Sequence, residues 1–236
     1  MILELKIMEN EQALHREIKS FVLRQGKITQ GQQRAIEELM PVYGLQYTGE
    51  KLDLAEAFGR NNSKVVEIGF GMGHATWQIA KNNPENDYLG IEVHLPGVGA
   101  LLMQMRDNDV SNLRVIRHDA VEVLRNMLID NSIDGFHIYF PDPWHKKRHH
   151  KRRIIQPEFV DLLCQKLKSG GYVHLATDWE EYATWMLDIL RANSQLANQS
   201  ISNDYVPRPD YRPVTKFENR GLKLGHGVWD LVFEKK

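Results

Sequence analysis

The chain reads as an α/β protein, a mostly parallel, twisted sheet with helices on both faces. Three observations predict it. From Ser63 onward, short apolar runs alternate with amphipathic ones over about 130 residues, the repeat expected of βαβ units. The first run, Lys64–Gly69, passes into a glycine-rich turn, Gly69-Phe70-Gly71-Met72-Gly73, that opens a helix. Acids then recur just past the strand ends, at Glu92, Asp119 and Asp142, along the edge where such sheets bind ligands.

The elements follow in order. An amphipathic stretch, Glu9–Leu23, leads into a polar basic segment, Arg24 to Gly31. A short helix, Gln32–Met40, is expected to stop at Pro41, which lacks an N–H and crowds the preceding turn. Residues 1–60 therefore read as a partly helical N-terminal extension, and 61–236 as one domain. After the first strand a helix runs from Gly73 to Asn82-Asn83-Pro84. Tyr88–Val93 is a strand, Pro96–Asp107 a helix, Leu113–Arg117 a strand, Ala120–Leu128 a helix and Ile133–Tyr139 a buried strand. Pro157 suits a first helical turn; Phe159, Leu162, Leu163 and Leu167 share one face, and Ser169-Gly170-Gly171 is the expected stop. Tyr172–Thr177 is a strand, and the next helix opens at Asp178 and buries Tyr182, Trp185, Met186, Ile189 and Leu190. The tail, Tyr211–Glu234, is expected to form a C-terminal antiparallel strand pair around a glycine-rich turn, Gly221–Gly227.

A length of 236 residues with 42% apolar content suffices for one sizeable core. No apolar run approaches the ~18 residues of a membrane span, and the start, Met1-Ile2-Leu3-Glu4, lacks a signal-peptide core. A cytoplasmic protein with no membrane partner is expected. The single cysteine, Cys164, excludes a disulfide framework and a cysteine-rich zinc site; it falls on an apolar helix face and reads as a buried structural thiol. No metal is expected.

The net charge of −1 hides a partition. Residues 145–153 hold six of the 30 Lys/Arg, three His and no acid, which leaves 24 cations against 31 acids elsewhere. A localised basic patch on an otherwise acidic chain points to a directed polyanionic partner.

The glycine turn departs from the dinucleotide fingerprint, which would need glycine where His74 stands. Four acids, Glu67, Glu92, Asp119 and Asp142, would repel a pyrophosphate but suit S-adenosylmethionine, whose sulfonium and ammonium outweigh one carboxylate. Gly69 and Gly71 let the backbone approach such a ligand. Glu92 is placed for the ribose, Glu67 for the ammonium and Asp119 for the adenine end. Structural alternatives stand beside these roles: Asp119-x-x-Glu122 and Asp178-x-x-Glu181 both fit a capping box. Pro141-Asp142-Pro143-Trp144, after a buried strand, presents Asp142 on a stiffened turn directly against the basic segment.

These residues resemble a known family, the bacterial tRNA (guanine-N7-)-methyltransferases, which are S-adenosylmethionine-dependent class I enzymes with a Rossmann-like fold. The resemblance rests on Arg24-Gln25-Gly26-Lys27, Glu67–Gly73, Gly90-Ile91-Glu92-Val93-His94, Tyr139–Arg153, Thr177-Asp178-Trp179, Arg212–Glu218 and Gly225–Asp230. It implies cofactor contacts at Glu67, Glu92, Asp119 and Asp142, with Asp142 as the catalytic acid. It implies substrate contacts at Lys146, Asp178, Thr215, Lys216, Phe217 and Glu218, and tRNA contacts at Arg148, His149, His150, Lys151, Arg152 and Arg153. The implied substrate is the variable-loop guanine of tRNA. From the residues alone, a methyltransferase of another substrate and a non-catalytic RNA-binding protein remain open, as does monomer or homodimer; a nicotinamide dehydrogenase is disfavoured by His74 and Glu67.

Overall fold

The computed structural model describes residues 18–22, 26–215, 218–219 and 227–236. Among these residues, seven strands form one sheet. In chain order they are β1 Ser63–Ile68, β2 Asn86–Ile91, β3 Leu113–Ile116, β4 Ile133–Tyr139, β5 Leu167–Thr177, β6 Leu196–Asn198 and β7 Trp229–Lys235. Their spatial order is β3-β2-β1-β4-β5-β7-β6, with the first five parallel and β7 antiparallel to both its neighbours. The helices named for the described residues are α1 Gln30–Tyr43, α2 Leu54–Phe58, α3 His74–Asn82, α4 Leu95–Asp107, α5 Ala120–Glu122, α6 Pro157–Lys166 and α7 Glu180–Ala192. A wide π turn, Val123–Met127, extends α5. No described helix is long and apolar enough to cross a membrane.

The strands are near-continuous apolar runs because both faces are covered. One core layer packs Val66, Ile68, Phe136, Ile138, Val173 and Leu175 under α5–α7, and the other packs Val65, Tyr88 and Val115 under α1, α3 and α4. Cys164 is buried in the first layer.

Local chemistry sets the helix ends. Thr29 and Gln32 form a reciprocal capping box at the start of α1. Buried Gln32 then donates to the Pro96 carbonyl (3.0 Å), seating α1 on α4. α1 does not stop at Pro41. It runs on to Tyr43, because a proline in the last turn forfeits only its own N–H bond, and Gly44 N–H closes the helix on Met40 O.

Two further expectations need correction. α6 ends at Lys166, and β5 begins at once; the register jumps from Ile133↔Leu167 to Gly135↔Tyr172, so Ser169-Gly170-Gly171 forms a bulge with Gly170 at φ +78°. Among the described residues, the tail supplies only β7 to the antiparallel end of the sheet. Its outer partner is β6, which follows α7, while Tyr211–Thr215 is irregular, with the Tyr211 and Arg212 side chains bonded inward to the sheet face. Most of the Gly221–Gly227 turn lies outside the described residues, as do residues 9–17 and 23–25.

Both rims of the sheet are short. β3 has four residues, and its outer side already pairs with Gly44 and Leu45; β6 has three.

Candidate active site

The carboxyl ends of the central strands open on a cavity of about 340 Å³ lined by Gly69, Gly71, Glu92, Asp119, Phe140 and Asp142. Glu67, inside β1, lines a second cavity of about 280 Å³ that shares Gly69, Gly71 and Phe140 with the first. Three of the four acids therefore share one chamber, and the fourth lies just across the glycine turn. Gly69 and Gly71 have φ of +74° and +57°, and a Cβ at either would meet nothing within 4 Å. The left-handed backbone demands glycine there, and the absence of side chains leaves the turn bare for a ligand. Beneath it the packing is tight: a Cβ on Gly97 would stand 2.1 Å from the Gly71 carbonyl oxygen, so α4 enters directly under the turn.

Glu92 holds this geometry. Its carboxylate accepts from the backbone N–H groups of Gly71 (2.8 Å), Val93 (2.7 Å) and His94 (2.9 Å). A carboxylate offers about four acceptor positions, so one remains for a ligand hydroxyl. Asp119 has two partners. It accepts from Val121 N–H (3.0 Å), capping α5, and from Lys19 Nζ (2.7 Å), which also reaches Glu122 (2.6 Å). Capping and a place in the cavity wall coexist for Asp119. For Asp178 the capping reading fails: the N-cap of α7 is Trp179, with no side-chain cap bond, and Asp178 stands half-buried beyond the end of β5. Burial pushes the Glu67 carboxyl up to about 8, with the neighbouring charge of Glu92 adding to the rise.

Asp142 is exposed at the tip of the turn after β4, bracketed by two residues in left-handed conformation, Phe140 (φ +51°) and Trp144 (φ +47°). The Trp144 indole donates to Ser20 O (3.2 Å) and lies 4.6 Å from the Arg152 guanidinium, so it braces the turn. Trp179, 41% exposed and edge-on to His145, is an aromatic that faces outward beside it.

The basic segment is a short 3₁₀ helix, Lys147–Arg152. Lys146, Lys147, Arg148 and Lys151 are exposed, whereas His149, His150 and Arg152 are half-buried. Desolvation and the neighbouring cations, Arg148 first, hold His149 below the usual histidine range. Arg153 is a correction to the expected RNA face. It is 1% exposed; it donates to the Pro143 carbonyl (2.8 Å), pairs with Glu181 through two nitrogens, and stacks over Tyr182 and Trp185. Its guanidinium pins the proline turn to α7 and has no face left for a phosphate. The cationic flank nonetheless adjoins the acidic chamber: Lys151 and Arg152 line a groove of about 510 Å³ that shares Ser20, Asp119 and Ile154 with it.

Of the tail residues, Thr215 lines the Glu67 cavity, and Lys216 and Phe217 lie outside the described residues. Glu218 departs from expectation as an acceptor for the substrate base. It is 3% exposed, and both carboxylate oxygens accept from Arg212 (2.7 and 3.0 Å). The buried partners that organise this region, Arg212, His174 and Asp230, carry no periodic signal in the sequence, although Arg212 and Asp230 fall in stretches that resemble family motifs.

Comparisons with known proteins bear on this arrangement. Residues 61–231 match the model of a family described as "Putative methyltransferase". A tRNA (guanine-N(7)-)-methyltransferase of Methylobacillus flagellatus is 61% identical over 227 residues, 96% of this chain and 94% of that one. The protein of the same name from Chromobacterium violaceum is 60% identical over 97% of this chain and 100% of its own length. Among solved structures, the 16S rRNA methyltransferase KamB aligns with a TM-score of 0.57 at 12% identity, over 79% of this chain and 95% of that one. TrmN from Thermus thermophilus aligns at 0.53 and 17% identity, over 78% of this chain and 48% of that one. At such identities the structures speak for the fold alone, a parallel-sheet methyltransferase architecture; the near-full-length relatives speak for more. With its acid-lined chamber, glycine turn and proline-flanked aspartate in place, this chain belongs to the tRNA (guanine-N7-)-methyltransferase family.

Proposed function

We propose that this protein transfers a methyl group from S-adenosyl-L-methionine to N7 of the variable-loop guanine of tRNA, in the cytoplasm. One observation carries the reading: a chamber walled by Glu92, Asp119 and Asp142, with Glu67 beside it, adjoins a flank of exposed cations. The residues fit the cofactor. The bare glycine turn leaves room for it, the acids suit its excess positive charge, and Glu92 keeps an acceptor position for a ribose hydroxyl. Asp119 would hold the adenine end and Glu67 the ammonium.

Once bound, S-adenosyl-L-methionine supplies an electrophilic methyl group; the rest falls to the chain. Guanine N7 has a lone pair and no proton, so no general base is required, and alignment is the main lever. Asp142 meets the base at the turn tip and stabilises the positive charge that the ring acquires. Asp178, released from helix capping, accepts from guanine N1–H and the exocyclic amine. Lys146, Lys147, Arg148 and Lys151 hold phosphates, which positions the RNA without reading its sequence. The base leaves its stack to reach the site, and outward-facing Trp179 covers it.

The test is incubation with unmodified tRNA and methyl-labelled cofactor, followed by chemical mapping of the product. Label at N7 of a variable-loop guanine is the expected result. Label on another base, or at another atom of guanine, overturns the proposal.

A further inference from the structure

We infer that Arg212 is a positioning residue for methyl transfer, tying Glu218 and through it Thr215 to the sheet, so that Thr215 stands in the wall of the Glu67 cavity. The inference rests on the proposed function, since Thr215 lines the cavity that adjoins the chamber of Asp142.

The register lines Glu67, His137 and His174 across β1, β4 and β5, with Tyr139, Ala176 and Asp230 two residues further along the same face. That row is polar, and the tail closes over it with hydrogen bonds. Tyr211 and Tyr139 hydroxyls both reach His174 Nδ1 (2.8 and 3.1 Å), and His174 Nε2 meets Asp230 (2.8 Å). The Asp230 carboxylate can only accept, so the ring keeps its proton on Nε2 and donates it there, leaving Nδ1 to accept from a tyrosine hydroxyl; burial, which lowers the His174 pKa, favours this neutral form.

Arg212 bridges that sheet anchor to Glu218. Nε and one terminal nitrogen donate to Asp230 (2.7 and 2.8 Å), and both terminal nitrogens donate to Glu218 (2.7 and 3.0 Å). Glu218 and Thr215 are tied directly as well, since Glu218 N–H donates to Thr215 Oγ1 (3.1 Å). The Thr215 hydroxyl therefore acts as acceptor towards the loop and keeps its own O–H to donate to a ligand.

Arg212, Glu218 and Asp230 are each at most 3% exposed. Buried ion clusters of this kind contribute little net stability compared with apolar packing. What a planar fork provides is geometry: two carboxylates held at fixed angles, which an ammonium cannot reproduce. That rigidity lies between β7 and Thr215, in the wall of the cavity beside Asp142's chamber, which is where the reaction needs it.

The experiment compares wild type with Arg212→Met, Arg212→Lys, Glu218→Gln and the Arg212→Met/Glu218→Gln double variant. For each, turnover on unmodified tRNA, cofactor Kd, tRNA Kd and thermal unfolding are measured. Turnover should fall ~100-fold in every single variant while both Kd values stay within ~3-fold, and the double variant should be no worse than the poorer single one, as for residues acting as a unit. Arg212→Lys should give no rescue. Near-wild-type turnover in Arg212→Met or Glu218→Gln, multiplied losses in the double variant, or parallel loss of cofactor affinity would overturn the inference. If Arg212→Met does not fold, Glu218→Gln decides alone, because it leaves the Arg212–Asp230 pair intact. Mapping the wild-type product in the same assay separates the two readings: methylation elsewhere defeats the proposed function, whatever Arg212 does.

Discussion

The proposed role of Glu67 predicts that cofactor binding depends on pH, and the size of the effect follows from its burial. Its carboxyl is raised from the ordinary 4.5 to about 8, so at pH 7 only about one molecule in ten carries the charge that a ligand ammonium needs. Binding at pH 7 must then expel close to one proton, at a cost of ~1.4 kcal/mol. Cofactor affinity should rise ~10-fold between pH 7 and pH 9 and level off above the raised pKa. The ligand's own amine also titrates in this range, so the comparison is with Glu67→Gln, where that contribution is the same and the carboxyl is gone. Calorimetry at pH 7 in two buffers of different ionisation enthalpy should show ~0.9 more protons released by wild type than by the variant. An internal control uses the ligand-free protein. The folded state holds this proton between pH 4.5 and 8 and the unfolded chain does not, so stability is full below 4.5 and declines as pH rises through that window. Glu67→Gln should therefore stabilise the ligand-free protein at pH 8, by up to roughly 4 kcal/mol, and give almost no gain at pH 4.5. Parallel affinity profiles for wild type and variant, with equal proton release, would refute the reasoning.

Other expectations concern the turn and the basic flank. Asp142→Asn should lower turnover at least ~100-fold while tRNA Kd moves by less than ~3-fold; equal losses in both would remove Asp142 from the catalytic role. The triple variant of Lys147, Arg148 and Lys151 to Ala should reduce the slope of log K against log salt by about 2 to 3, and an unchanged slope would mean that this flank does not hold RNA. Arg153→Ala should leave that slope untouched and instead lower the melting temperature, by an amount corresponding to ~2–3 kcal/mol for the lost buried anchor. Thermal scans and filter binding on the same preparation distinguish the inward arginine from the outward cations.

Much of the fold was legible because its strands are buried on both faces and its helices carry one apolar stripe, so alternation alone orders β1 to α7. The irregular parts were hidden for definite reasons. Ser169-Gly170-Gly171 looks like a helix stop in any sequence, and only the jump in register against β4 makes it a bulge. β6 is three residues long and becomes a strand only because β7 lies beside it. At the site, the acids along the sheet edge could be placed because position after a strand fixes where a side chain can reach. Charge type does not tell which way a side chain turns: Arg153 and Glu218, expected to contact RNA and base, face inward to Glu181 and Arg212. Asp119 and Asp178 share one capping signature, yet only the first caps a helix, since α7 begins a residue later than the pattern suggests.

The short rims have a consequence for how the molecule meets its own copies. A sheet ending in a long open strand offers a row of unpaired N–H and C=O groups on which another chain can grow. Here one border is already occupied by the segment after α1, and the other is three residues wide. Strand addition at either border has too little ladder to hold, so crowding at high concentration should not drive this protein into ribbon-like aggregates while it remains folded.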